Sequence, residues 1–159
     1  MTFALSVHRT TTTDALARPL LDELAHEYTT RYGSAHDLNR YPAEEFTPPH
    51  GAFLLLLEQG RPVAGGAYRR YDDHTAELKR IWTHSAHRRR GLARRVLTVL
   101  EREAAACGYS RVFLTTGPRQ PEARGLYLAS GYRPLFDVTA EPESIGPLPF
   151  EKFLENPKP

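Results

Sequence analysis

Leu16, Leu20, Leu24 and Tyr28 recur every four residues, the spacing of one apolar stripe on a helix. Thr10 to Thr13 offer caps before the stripe, and Gly33 ends it. Pro19 falls inside it. Either Pro19 occupies the first turn of the main helix, with residues 14–17 as a separate turn, or it kinks the helix. Phe3 to Val7 reads as a strand ahead of this helix. Residues 34–50 are polar and irregular, with Pro42, Pro48 and Pro49. A loop of that length in a compact domain is often functional.

Three strand-like runs follow. Ala52 to Glu58 ends at the turn signal Gln59-Gly60, and Val63 to Arg70 ends at Asp72-Asp73. Thr75 to Thr83 completes an antiparallel meander. The clearest helix runs from Ala93 to Cys107. Ala93, Val96, Leu97, Leu100, Ala104 and Cys107 share one face, and Arg94, Arg95, Thr98, Glu101 and Arg102 share another. On this reading Cys107 is a buried structural thiol, and Gly108 caps the helix. Arg111 to Thr115 is a strand that follows a helix that follows a strand, so it lies parallel to the strand ending at Thr83. Pro121 to Ser130 is a second helix with Gly131 after it. Tyr132 to Val138 and Phe150 to Phe153 are two further strands, joined by the proline-rich segment 141–149. The pattern is that of an α/β domain with a mixed sheet.

Composition narrows this only a little. The chain has 159 residues, 40% apolar and 25% charged, as in ordinary soluble domains, and its net charge of +2 argues for no polyanionic partner. One cysteine excludes an intrachain disulfide, which fits a reducing cytosol. The apolar run Ala52 to Leu57 is far shorter than the roughly 20 residues of a membrane span, and the N-terminus lacks a signal-peptide pattern. The expected location is the cytoplasm, with no membrane partner.

The chemistry is concentrated at Arg88-Arg89-Arg90-Gly91-Leu92-Ala93. A glycine at the mouth of a helix lets backbone approach a ligand. The first helical N–H groups have no partner inside the helix and can bind an anion. Three arginines add positive charge there, the makings of a diphosphate site. Acidic residues Asp72, Asp73, Glu77, Glu101 and Glu103 break up the basic surface, so nucleic acid is not the expected partner. His84 and His87 have no Cys, Asp or Glu following at ligand spacing, so no metal is expected.

Arg88-x-x-Gly91-x-Ala93 resembles the signature of the GNAT superfamily of acetyl-CoA-dependent N-acetyltransferases: Gln or Arg, two free positions, Gly, one free position, then Gly or Ala. Its setting, between the strand Glu77–Thr83 and a long helix, makes the match specific. Gln120-Pro121-Glu122-Ala123-Arg124-Gly125-Leu126-Tyr127 through Gly131-Tyr132 is similar to a second family block, with Gln120 where asparagine is common and Gly125 inside the helix. The resemblance implies one GNAT-like domain over 1–159, a mixed sheet of about six to seven strands flanked by helices, and splayed parallel strands forming the CoA cleft.

By position, it implies that backbone N–H groups of Arg89 to Arg94 hold the pyrophosphate, with Arg88, Arg90, Gly91, Leu92, Ala93 and Gln120 also at the cofactor. Ile81, Trp82 and Thr83 would pair with the pantetheine arm like an added strand. Tyr127 would protonate the departing thiolate, and Glu77, 11 positions before Arg88, stands where some members place a general base. The implied reaction is direct attack of a primary amine on acetyl-CoA in a ternary complex. The alternative is a catalytically inactive acyl-CoA-binding sensor or interaction module of the same fold. The acceptor is expected to be a small-molecule amine, shaped by residues 20–50 and 136–150. Asp37, Glu44, Glu45, Asp72 and Asp73 are the carboxylates available to attract a cation, and Tyr68, Tyr71 and Trp82 the aromatics available to line a pocket. Many family members are homodimers, so a homodimer is compatible with the resemblance.

Overall fold

The computed structural model describes residues 4–155, so Phe3 lies outside the described residues. Seven strands form one sheet in the order β1-β2-β3-β4-β5-β7-β6. They are β1 Leu5–Arg9, β2 Ala52–Glu58, β3 Arg61–Asp72, β4 Thr75–Thr83, β5 Arg111–Thr116, β6 Arg133–Pro134 and β7 Leu148–Phe153. The four helices are α1 Arg18–Tyr32, α2 Leu92–Ala106, α3 Pro121–Ala129 and the single turn α4 Pro142–Ile145. The β4–β5 pair is parallel and joined through α2, as the sequence order requires. Every other pair is antiparallel.

Burial on both faces explains the sequence of β2. Phe53, Leu55 and Leu57 join a cluster with Leu20 and Leu24 of α1 and with Leu38 and Phe46 of the segment after it. Leu54 and Leu56 point the other way, into the larger cluster that holds Val96, Leu97 and Leu100 of α2. Two glycines in β3 set the thickness of these layers. A Cβ on Gly65 would stand 2.9 Å from Leu20 Cδ1, and one on Gly66 would stand 2.9 Å from Leu100 Cδ1. Both helices therefore seat directly against strand backbone.

Asp14 caps a separate turn at Ala15–Ala17, and Pro19 lies in the first turn of α1, so the helix is not kinked there. Asp14 accepts from His8, Thr10 and the Leu16 N–H, which together hold its carboxyl down to about 2. Three expectations need correction. Residues 34–50 contain two short helical turns, His36–Asn39 and Ala43–Phe46. Only Arg133–Pro134 of the segment 132–138 pairs as a strand. Pro134 has no N–H to donate, and a turn at Asp137, whose carboxylate accepts from the Thr139 N–H, takes the chain away. Cys107 is exposed. The helix stops at Ala106, so Cys107 is the cap residue at its open end, exposed although its sulfur still accepts from the Tyr68 hydroxyl at 3.6 Å.

Candidate active site

β4 and β5 pair over only three positions, Thr75–Glu77 against Arg111–Phe113. Beyond Glu77 the two strands part, and β5 continues in register with β7 alone. A bulge in β4 sharpens the divergence. Trp82 pairs with Gly65 and Lys79 with Ala67, so Arg80 and Ile81 stand opposite the single Gly66. Arg80 takes a left-handed conformation there, φ 58°.

Two cavities open along this divergence. The first, of about 850 Å³, lies between α1, the end of β4, the start of α2 and α3. The second, of about 640 Å³, lies between Lys79–Ile81, Leu114–Gln120 and the segment 34–46. They share one wall, formed by Leu24, Ile81, Gln120, Ala123 and Tyr127.

Gly91 at φ 73° caps α2 without any side-chain hydrogen bond, and Arg89 just before it is also left-handed, at φ 64°. The first N–H groups of α2 thus have no acceptor within their own helix and no capping side chain. A Cβ on Gly91 would meet nothing within 4 Å, so neighbouring protein atoms leave this backbone open. Ile81, Trp82, Thr83, Arg88, Arg89, Gly91, Leu92, Ala93, Arg94 and Gln120 all line the first cavity. Arg90 does not. Its guanidinium is held by Glu58 and lies 2.8 Å from His87 Nδ1, turned from the cleft.

Three carboxylates of α1, which sequence reasoning missed, also line this cavity: Asp22, paired with Arg18, and Glu23 and Glu27. Glu23 accepts from Trp82 Nε1 at 2.9 Å, from the Ser85 N–H at 3.0 Å and from the Ser85 hydroxyl at 2.5 Å. It ties α1 to the chain leading into α2. Burial alone would raise the Glu23 carboxyl, but these three donors hold it below the usual value. Glu27, one turn on, lies 3.5 Å from Arg31 Nε and 3.4 Å from Gln120 Nε2. The i, i+4 spacing of Glu23 and Glu27 puts both on one helix face, the one signal in the sequence that could have found them. Gln120 also accepts from Tyr32 and from the Gly117 N–H, so its amide joins α1 to the start of α3.

Tyr127 lies on both cavities with its residue only 6% exposed. Its ring packs against Tyr132 and Phe150, each at 5.6 Å between centroids. Burial, with smaller contributions from Tyr28 and Glu27, pushes its phenol far above the ordinary value, so it stays protonated. Glu77 is elsewhere. It is the last residue of β4 paired with β5 and lines neither cavity. Its carboxylate is 2.7 Å from Arg69 Nη1 and 3.4 Å from Lys79 Nζ. The structure thus places Tyr127 on one cavity with the residues expected at the cofactor and leaves Glu77 apart, its carboxylate paired with two cations.

The aromatic and acidic candidates for the acceptor side fall elsewhere too. Tyr68 is fully buried and donates to Cys107, Tyr71 packs on Phe113, and Trp82 is tied to Glu23. Tyr28, Tyr32 and Tyr41 line the second cavity instead. Glu45 is paired with Arg69, Asp73 with Arg70, and Asp72 accepts from the His74 N–H. With Glu44, none of them lines the second cavity, and the Asp37 side chain lies outside the described residues. No group of three metal-ligating side chains, and no helix long and apolar enough to cross a membrane, occurs among the described residues.

The model of the acetyltransferase (GNAT) family matches residues 18–132. An uncharacterized N-acetyltransferase of Bacillus subtilis, YsnE, is 34% identical over 118 residues, 62% of this chain and 78% of that protein. Among solved structures, a Klebsiella pneumoniae protein assigned as an acyl-CoA N-acyltransferase is 24% identical, with a TM-score of 0.74 over 95% of this chain and 98% of that one. A GNAT family acetyltransferase of Elizabethkingia anophelis, solved with acetyl-CoA bound, is 15% identical, with a TM-score of 0.69 over 94% of this chain and 98% of that one.

Proposed function

Because the chain belongs to the GNAT family of acetyltransferases, we propose that it transfers an acetyl group from acetyl-CoA to a primary amine by direct attack in a ternary complex. The observation that carries this reading is the shared wall. One cavity ends on an open helix N-terminus suited to a diphosphate, the other opens toward the acceptor-side segments, and they meet at Ile81 and Tyr127. The acetyl-CoA bound to the Elizabethkingia relative supports the same cofactor here.

Each residue then has a task. N–H groups at the start of α2, with Arg88, Arg89 and Arg94, hold the diphosphate. The backbone of Ile81–Thr83, unpaired on the β5 side, offers strand hydrogen bonds to the pantetheine arm. The amine nitrogen attacks the thioester carbonyl, and a backbone N–H near Ile81 stabilises the oxyanion. The C–S bond then breaks. Tyr127 gives its proton to the sulfur, and solvent restores it. A carboxylate takes the proton lost by the amine. Glu27, on the cavity and beside Tyr127, fits that task directly or through water better than Glu77.

The test is calorimetry of acetyl-CoA binding to the native chain and to Gly91→Trp, paired with thiol release across a panel of amines. Gly91→Trp is expected to weaken binding at least about a hundred-fold, since the indole would occupy the approach to the helix N-terminus. A folded native chain that binds no acetyl-CoA overturns the proposal. Binding with no thiol release from any amine leaves only the sensor reading.

A further inference from the structure

Arg80 is the least accounted-for charge among the described residues. It is 7% exposed, lines the second cavity, and stands on the left-handed residue of the β4 bulge. The bulge turns it to the same side as Lys79, toward the segment 34–46. Its guanidinium carbon is 4.4 Å from the centroid of Phe46 and 5.1 Å from that of Phe53. Nε and Nη1 have no hydrogen-bond partner, and Nη2 makes only a long 3.4 Å contact to the Leu38 carbonyl. Among the described residues no carboxylate lies within ion-pair distance of it. A buried guanidinium with idle donors is costly unless a partner arrives.

The rest of the cavity has the same sign. Its charged lining, among the described residues, is Arg40, Lys79, Arg80 and Arg119 against Glu143, which is 2.9 Å from Arg119; Lys79 is met by Glu77 behind the lining, which leaves Arg40 and Arg80 as its uncompensated charges. A bare cationic amine would be repelled there. A ligand with an oxyanion would satisfy Arg80 and relieve the repulsion.

Resting on the acetyl-transfer reading above, we propose that the acceptor is an amine that also carries an oxyanion, a carboxylate or phosphonate as in an amino acid or aminophosphonate, and that Arg80 binds that anion. Ile81, the next residue, lines both cavities, so an acceptor anchored at Arg80 presents its amine toward the wall shared with Tyr127. The anion takes the place of the weak Leu38 contact at Nη2, and an idle donor beside it, Nε or Nη1, completes the planar fork that suits an oxyanion.

The experiment measures thiol release by the native enzyme with the common amino acids and with 2-aminoethylphosphonate. Each is set beside its uncharged counterpart, the amino acid amide or the plain amine. Preference for the anionic member by about a hundred-fold or more in kcat/KM is expected, with the carboxylate and phosphonate arms telling which oxyanion is used. Arg80→Gln is expected to raise the acceptor KM about a hundred-fold and erase the preference, while acetyl-CoA affinity stays native. Arg80→Lys is expected to restore part of it. Because the paired substrates are compared on the native chain, the result does not depend on either variant folding. Amides and plain amines turned over as well as the anionic acceptors overturn this proposal and leave acetyl transfer standing. No thiol release with any acceptor overturns both.

Discussion

The two cavities that meet at Tyr127 are built in different ways. Most of the special geometry of the first comes from one continuous stretch, Ile81 to Arg94, where a strand end, two left-handed residues and a helix start expose backbone donors in sequence. The second is assembled, beyond its α1 and α3 walls, from four separate segments: 34–46, 78–81, 114–120 and 143–147. Recognition by backbone needs a fixed spacing of glycine and helix start, which leaves a local pattern. Recognition by side chains drawn from four segments leaves none.

The sharpest way to break this division is at the shared wall. Tyr127→Phe keeps the ring against Tyr132 and Phe150 and removes only the hydroxyl. We expect kcat to fall by about 10²–10³-fold with acetyl-CoA affinity unchanged in calorimetry. An equal loss of affinity would make Tyr127 part of the donor site rather than the point where the two sites join.

Next in size is the carboxylate pair. Glu27→Gln is expected to lower kcat by about ten- to a hundred-fold. Glu77→Gln is expected to leave kcat unchanged and to lower stability instead. Its carboxylate, 6% exposed, neutralises Arg69 and Lys79 at the closed end of the β4–β5 pairing. The opposite assignment of effects would return the base to Glu77.

These expectations mark where the sequence was readable. β2 and β4 have the bounds that periodicity and turn residues suggest, and β5 is parallel to β4 as connection rules require. That the residues expected at the cofactor would line one cavity was legible for the local reason just given, except for Arg90, whose turn toward Glu58 depends on β2, a strand 32 residues earlier. Arg80 was illegible. Strict alternation puts it opposite Lys79, and only the bulge at Gly66 sends both to one face. Glu23 and Glu27 looked like an ordinary polar helix face until α1 was seen against β4 and α3.

A smaller effect separates the halves by pH. Glu23 holds the start of the donor loop through Trp82 and Ser85. Its carboxyl lies below the ordinary 4.5 in the folded state, so its contribution is complete above that value and is lost as pH falls through the lower folded one. Thermal melts of native protein and Glu23→Gln should differ by about 1–2 kcal/mol near neutrality and converge in acid. Acetyl-CoA binding should weaken in the variant while the acceptor KM does not move. A pH-independent difference would mean that the charge of Glu23 is not what secures the loop.

The smallest expected effect tests whether α3 belongs to the scaffold or to the chemistry. Gly125 is exposed inside α3, and a Cβ there would meet nothing within 4 Å. It has none of the reasons that hold Gly65 and Gly66, whose neighbours stand 2.8–3.0 Å from such a Cβ. Gly125→Ala should therefore stabilise the fold by about 1 kcal/mol, a rise of roughly 2–4 °C in Tm, by reducing the freedom of the unfolded chain. Since α3 carries Tyr127 two residues further on, the rate is the informative quantity. A higher Tm with native kcat makes the helix a rigid support for the tyrosine. A higher Tm with a lower kcat means that α3 must yield during turnover, and that the glycine serves the junction of the two cavities rather than either one.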